Sequence, residues 1–242
     1  MKALLLLLGM ALTARAANRE CRVLWIGNSY TAAVWQLVTE TATQAGGLPV
    51  SSEALAPGAY TWQRHFGDGQ SDAVKKIRSG KFDYVILQDQ SPAAFRLQNE
   101  MKTYGAKFVQ EIRTVGAEPV FYCTWTGAAG KQRGPQSTIT AAYWELAKEH
   151  KALFAPVGPA WEKALTAKPG LKLHMDDGSH PNPAGRYLTM CVFYALLTGM
   201  SPVGLPPQLG LPASETKLLQ QAAWDAHTEW GRKMRDAGIQ LP

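Results

Sequence analysis

Cysteine is scarce. Cys21, Cys123 and Cys191 are the only three in 242 residues, an odd number that no disulfide framework can use in full. Cys123 falls in an apolar strand pattern and Cys191 in a helical one, so both read as buried thiols, with one disulfide left open in an oxidising compartment. Like charges never gather into a run of five, and the net charge of +6 is evenly spread, which excludes a nucleic-acid footprint. Beyond the first dozen residues, no apolar run approaches the roughly eighteen that a membrane helix needs. Internal repeats and a second composition zone are also lacking, which points to one domain.

What is present begins with Met1-Lys2, an apolar run from Ala3 to Leu12, and Ala14-Arg15-Ala16 as a small-x-small cleavage site. This reads as a secretory signal peptide over residues 1–16, too short for a comfortable span, with a secreted or periplasmic domain over 17–242. Its removal takes away Lys2 and Arg15 and leaves a net +4. No cysteine sits at the cleavage point, so neither a lipid anchor there nor a stable membrane anchor elsewhere is expected.

From residue 22 short apolar runs alternate with amphipathic stretches. Strands are expected at 22–26, 48–55, 84–87 and 119–123, with a fifth beginning at Leu153. Helices are expected at 31–45, around 70–79, through Met101 to Ile112, through Ile139 to Ala147, at 184–198 and at 214–237. Residues 201–213, rich in Pro and Gly, read as extended. This alternation implies an α/β fold, a three-layer α/β/α sandwich around a mostly parallel five-stranded sheet. Ligands of such sheets sit beyond the carboxyl ends of the strands, where Gly27-Asn28-Ser29, Gln88-Asp89-Gln90 and Thr124-Trp125 all fall. The loop from Thr126 to Gln136 carries no large apolar side chain and reads as functional or mobile.

Two stretches carry chemistry. Val23 to Ile26 runs into a Gly-Asn-Ser turn that opens a helix, which exposes the Ser29 hydroxyl and offers its N–H to a developing oxyanion. The alternative is that Asn28 or Ser29 merely caps the helix. In Asp177-Gly178-Ser179-His180, an Asp stands three residues before a His; of the five histidines only His180 has this. A serine hydroxyl needs an imidazole to take its proton and a carboxylate to fix that ring's tautomer. A metal set of His174, Asp176, Asp177 and His180 is the competing reading; its spacing fits no compact zinc pattern.

With these residues the chain resembles the SGNH (GDSL-like) hydrolases, in the secreted branch that has Gly-Asn-Ser where many members have Gly-Asp-Ser. The likeness runs from residue 23 to 186 and ends in His-Pro-Asn-Pro-Ala-Gly, as in many members. The resemblance implies a flavodoxin-like sheet and two-step ester hydrolysis without metal or cofactor. Ser29 would be the nucleophile, His180 the base and Asp177 its orienting acid. The oxyanion donors it implies are the N–H groups of Ser29 and Gly58, with Gly67 or Gly69 as alternatives to Gly58, and the Gln88 side chain, with Gln90 as its alternative. Tyr60, Trp62 and Trp125 lie on loops at the expected site edge, either to stack on sugar rings or simply to pack. The expected substrate is a small-molecule or carbohydrate ester, foremost an O-acetyl group on a sugar. A lipid or aryl esterase and a silent glycan-binding module are the competing readings.

Overall fold

Five short strands make one all-parallel sheet in the computed structural model, which describes residues 20–67, 69, 71–128 and 134–242. They are β1 (Cys21–Ile26), β2 (Val50–Leu55), β3 (Tyr84–Leu87), β4 (Glu118–Tyr122) and β5 (Leu153–Ala155), in the order β2-β1-β3-β4-β5. The central strands β1 and β3 read as near-continuous apolar runs because both faces are covered, and Val23 to Ile26 are fully buried. The edge strand β2 is only half-buried and more polar, carrying Ser51, Ser52 and Glu53.

Ten helices follow among the described residues: α1 (Ser29–Ala32), α2 (Trp35–Ala45), α3 (Trp62–Gly67), α4 (Ala73–Arg78), α5 (Ala93–Arg96), α6 (Gln98–Thr114), α7 (Gln136–His150), α8 (Val157–Ala167), α9 (Pro183–Thr198) and α10 (Ala213–Asp236). Helices α2, α8, α9 and α10 pack together on one face, and α3 to α7 on the other, giving the expected three layers. Helix α9 is apolar nearly all round and lies in the core, clasped by α2, α8 and α10. It starts as its sequence requires: the Asn182 side chain accepts from Gly185 N–H at 3.0 Å, and Pro183 follows.

The expected helix at 31–45 is broken at Ala33-Val34 into α1 and α2. Helix α8 escapes the sequence pattern because Gly158-Pro159 reads as a breaker. In the structure Pro159 sits in the first turn, where its missing N–H costs no helical bond. The segment between α9 and α10 has no regular element and is pinned by buried Gln220. That side chain donates to Leu205 O (2.7 Å) and to Tyr187 Oη (2.8 Å), and accepts from Gly204 N–H (3.1 Å). The expected leader, and residues 129–133 of the glycine-rich loop, lie outside the described residues.

Parallel register sets the site. Ile26 pairs with Leu55 and Leu87, Leu87 with Phe121, and Tyr122 with Ala155, so all five strands end along one rim. The strand order reverses between β1 and β3, and the turn after β1 opens into that crevice.

Candidate active site

The turn after β1 is held by buried polar groups on every side. Asn28 caps α1: its side-chain oxygen accepts from Tyr30 N–H at 3.2 Å, and its amide donates to Tyr60 O at 3.1 Å. Gln88, fully buried at the end of β3, accepts through Oε1 from Asn28 N–H and from Thr31 Oγ1–H, both at 3.0 Å. Buried His65 on α3 donates from Nε2 to Gly27 O at 2.7 Å. Gly27 must lack a side chain here, because a Cβ would stand 2.2 Å from Thr31 Oγ1 and 2.7 Å from Gln88 Oε1.

Across the rim, the loop before α9 brings His180 over this turn. His180 Nε2 lies 2.8 Å from Ser29 Oγ, and Nδ1 is hydrogen-bonded to Asp177 Oδ2. Asp177 Oδ1 accepts the backbone N–H groups of Ser179 (2.8 Å) and His180 (2.9 Å). The His180 side-chain bond, followed by the Ser179 N–H, holds the Asp177 carboxyl down at about 2. An ionised Asp177 keeps the proton on Nδ1, which leaves the Nε2 lone pair facing the Ser29 hydroxyl. Residues 151 positions apart thus form one line of hydroxyl, ring and carboxylate, partly open to solvent.

The other expected site residues divide. Gly58 is exposed on a turn in which Tyr60 N–H donates to Pro57 O at 3.4 Å, and the Asn28–Tyr60 bond holds that turn beside the Ser29 turn. Gly67, by contrast, is the last residue of α3. Gln88 is woven into the protein interior. It is fully buried, with Oε1 accepting from the Ser29 turn and one N–H of Nε2 donating to Asp89 O, so both ends of the amide are tied into the protein. Gln90, two residues further along the same rim, is only half-buried, and its N–H donates to Asp89 Oδ1 at 2.8 Å.

Of the two readings open for the three aromatics, stacking on sugar rings or packing, their burial fits packing. Trp62 is fully covered and packs on Phe121 and Tyr143. Trp125 is sandwiched between Tyr30 (ring centroids 4.5 Å apart) and Trp161 (4.1 Å), so both its faces are taken. Tyr60 is nearly buried, with the Arg64 guanidinium 3.9 Å above its ring. Of the competing metal set, His174 donates from Nε2 to Thr126 O at 2.9 Å and packs on Trp161, while Asp177 and His180 bind each other. Among the described residues no three His, Cys, Asp or Glu side chains gather closely enough to hold an ion.

Sequence reasoning passed over Tyr30, Ser179 and Asp89. Tyr30 Oη lies 2.7 Å from Ser179 Oγ, beside the Ser29–His180 bond. Asp89 is buried and accepts from Trp62 N–H (2.9 Å) and Gln90 N–H (2.8 Å), and burial lifts its carboxyl to about 6 against those two bonds. No spacing marks these residues. Only adjacency to Ser29, His180 and the Gln-x-Gln stretch could have drawn attention to them.

No protein-family model and no curated protein matches the chain by sequence. Its structure is similar to several solved ones. A DUF4886 family protein from Bacteroides uniformis superposes with a TM-score of 0.75 at 21% identity, over 89% of this chain and 96% of that one. A candidate SGNH hydrolase from Slackia heliotrinireducens gives 0.62 at 24% identity, over 75% and 100%. A variant of an acetyl-xylooligosaccharide esterase from Geobacillus stearothermophilus gives 0.59 at 15% identity, over 76% and 97%. With its parallel sheet and the ends of its strands arranged as described, this chain has the SGNH (GDSL-like) hydrolase fold.

Proposed function

We propose that the chain is an exported serine esterase that removes an O-acetyl group from a carbohydrate through an acyl-enzyme on Ser29. The observation that carries this reading is the unbroken hydrogen-bonded line from Ser29 Oγ through His180 to Asp177. As Ser29 Oγ attacks the ester carbonyl, His180 Nε2 takes its proton, and Asp177 stabilises the resulting imidazolium. The N–H groups of Ser29 and Gly58 receive the oxyanion, with the Gln90 side chain in place of Gln88 as third donor. Collapse expels the alcohol with the proton from His180. Water then attacks the acyl-enzyme with His180 again as base; the Ser29 Oγ–acyl bond breaks, His180 returns the proton to Ser29 Oγ, and the acetyl group leaves as acetic acid. No step needs a metal or an organic cofactor. Export rests on the leader read in residues 1–16, and no helix among the described residues is long and apolar enough to cross a membrane.

A lipid or aryl ester is the second reading. Burial of Trp62 and Trp125 removes the expected sugar platform, and Met175, whose N–H donates to His180 O, is exposed at the rim. A silent binding module has no need of Ser29 Oγ and His180 Nε2 at 2.8 Å, and this contact supports the esterase over it. The test compares wild type with Ser29→Ala on acetylated xylo-oligosaccharides and on aryl esters from acetyl to octanoyl. Acetate release that vanishes in the variant and falls with chain length supports the proposal. A steep rise towards octanoyl replaces it with the second reading. Activity surviving in the variant removes Ser29 from the mechanism.

A further inference from the structure

Beside the Ser29–His180 bond runs a second one that no reacting atom uses. Their chain neighbours, Tyr30 and Ser179, are joined hydroxyl to hydroxyl at 2.7 Å. We propose that Tyr30 and Ser179 are positioning residues that hold the base in register with the nucleophile; this rests on the esterase reading above.

Ser179 is held at every polar atom. Its N–H donates to Asp177 Oδ1 (2.8 Å), its carbonyl accepts from Trp125 Nε1–H (2.9 Å), and its hydroxyl meets Tyr30. The residue next to the base therefore orders the carboxylate and is itself ordered by the residue next to the nucleophile. Tyr30 is buried and stacks face to face on Trp125 (11° between planes), which stacks in turn on Trp161 of α8 (1°). His180 packs edgewise against the Tyr30 ring at 5.5 Å. The loop is closed at its base by the His174–Pro181 bridge and the Met175 N–H···O His180 bond (2.8 Å). Between that base and the ring stack, the Tyr30–Ser179 bond is the tie that ends at the nucleophile's own turn. His180 itself is partly exposed and is held by Asp177 and Met175, and the bonds to Ser179 add the link to the Ser29 turn.

The test uses Tyr30→Phe, Ser179→Ala and their combination. Each is measured for melting temperature, for kcat and KM on 4-nitrophenyl acetate, and for the rate at which diethyl 4-nitrophenyl phosphate modifies Ser29. That modification needs only the nucleophile and its base. Displacing a reacting group by about 1 Å costs on the order of 100-fold, and Trp125 retains part of the hold, so each variant is expected to lose about 10-fold in kcat and in modification rate. KM stays within about two-fold, and the double variant is no slower than either single one, since all remove the same bond. Ser179→Thr, which restores a hydroxyl, recovers the rate. Tyr30→Phe and Ser179→Ala reacting at the wild-type rate overturns the positioning role while leaving the esterase reading intact. A wild type that the phosphate never modifies overturns both.

Discussion

Replacing Gln88 by Met separates two roles that a buried glutamine beside a nucleophile could play. The side chain keeps its length and volume but loses the oxygen that accepts Asn28 N–H and Thr31 Oγ1–H, and the amide that donates to Asp89 O. All three partners are in residues with little or no exposure, so water cannot replace the lost bonds. Each orphaned buried group costs about 1–3 kcal/mol, and Thr31 can turn its hydroxyl aside, so the two groups left give roughly 2–6 kcal/mol in total. Against a whole stability of about 5–15 kcal/mol that is a large fraction. At about 2–4 °C per kcal/mol for a domain of this size, the melting temperature should fall by roughly 4–24 °C. Thermal and urea melts of purified protein read this directly. Thr31→Val, made in the Gln88→Met background, should cost less than in wild type by about 1 kcal/mol, because the bond it would break is already gone. If Gln88 were an oxyanion donor, turnover would fall about 100-fold or more with the fold intact. A Gln88→Met protein that melts within about 3 °C of wild type yet loses that much turnover refutes the reassignment.

Asp177→Asn should lower kcat on the order of 10,000-fold. Because the carboxyl sits at about 2, it is ionised throughout pH 4–9, and Asp177 itself should add no inflection to the wild-type rate profile over that range. The stability this depressed carboxylate adds is complete above its ordinary value of 3.8 and drains only as pH falls towards about 2. Asp89 has the opposite sign. With its native carboxyl raised to about 6, the folded state keeps a proton that the unfolded chain gives up near 3.8, so stability falls as pH rises from about 4 to 6. Asp89→Asn should flatten that slope, worth about 3 kcal/mol at most, in urea midpoints taken at both ends of the window. Gly27→Ala forces a methyl against Thr31 and Gln88 and should cost about 3 kcal/mol, read as a lower melting temperature together with lost activity.

The parts of this molecule that were legible in its sequence are those set by local pattern. Tyr84 to Leu87 had to be a strand covered on both faces, and Asn182-Pro183 had to start a helix, because apolar runs and caps act within a few residues. Ser29 and the Asp177-x-x-His180 pair stood out for the same reason, each carrying its own turn chemistry. Roles decided by what arrives from elsewhere in the chain were hidden. Trp62 and Trp125 look alike on paper whether they face a ligand or a neighbour, and only the approach of Phe121, Tyr143, Tyr30 and Trp161 settles the matter. Gln88 and Gln90 differ by two positions on one strand end. The choice between them depends on which one meets Asn28 and Thr31, 57 to 60 residues earlier. Helix α8 was missed because Gly-Pro is a breaker inside a helix and a tolerated start at its first turn.

The central claim is that Ser29 is the nucleophile and His180 its base. Treating the protein with an aryl phosphonofluoridate and locating the adduct by peptide mass spectrometry tests it most directly. A single adduct on the peptide that contains Ser29, absent in Ser29→Ala and formed far more slowly in His180→Ala, is the result expected. An adduct on another residue, or undiminished labelling without His180, would contradict it.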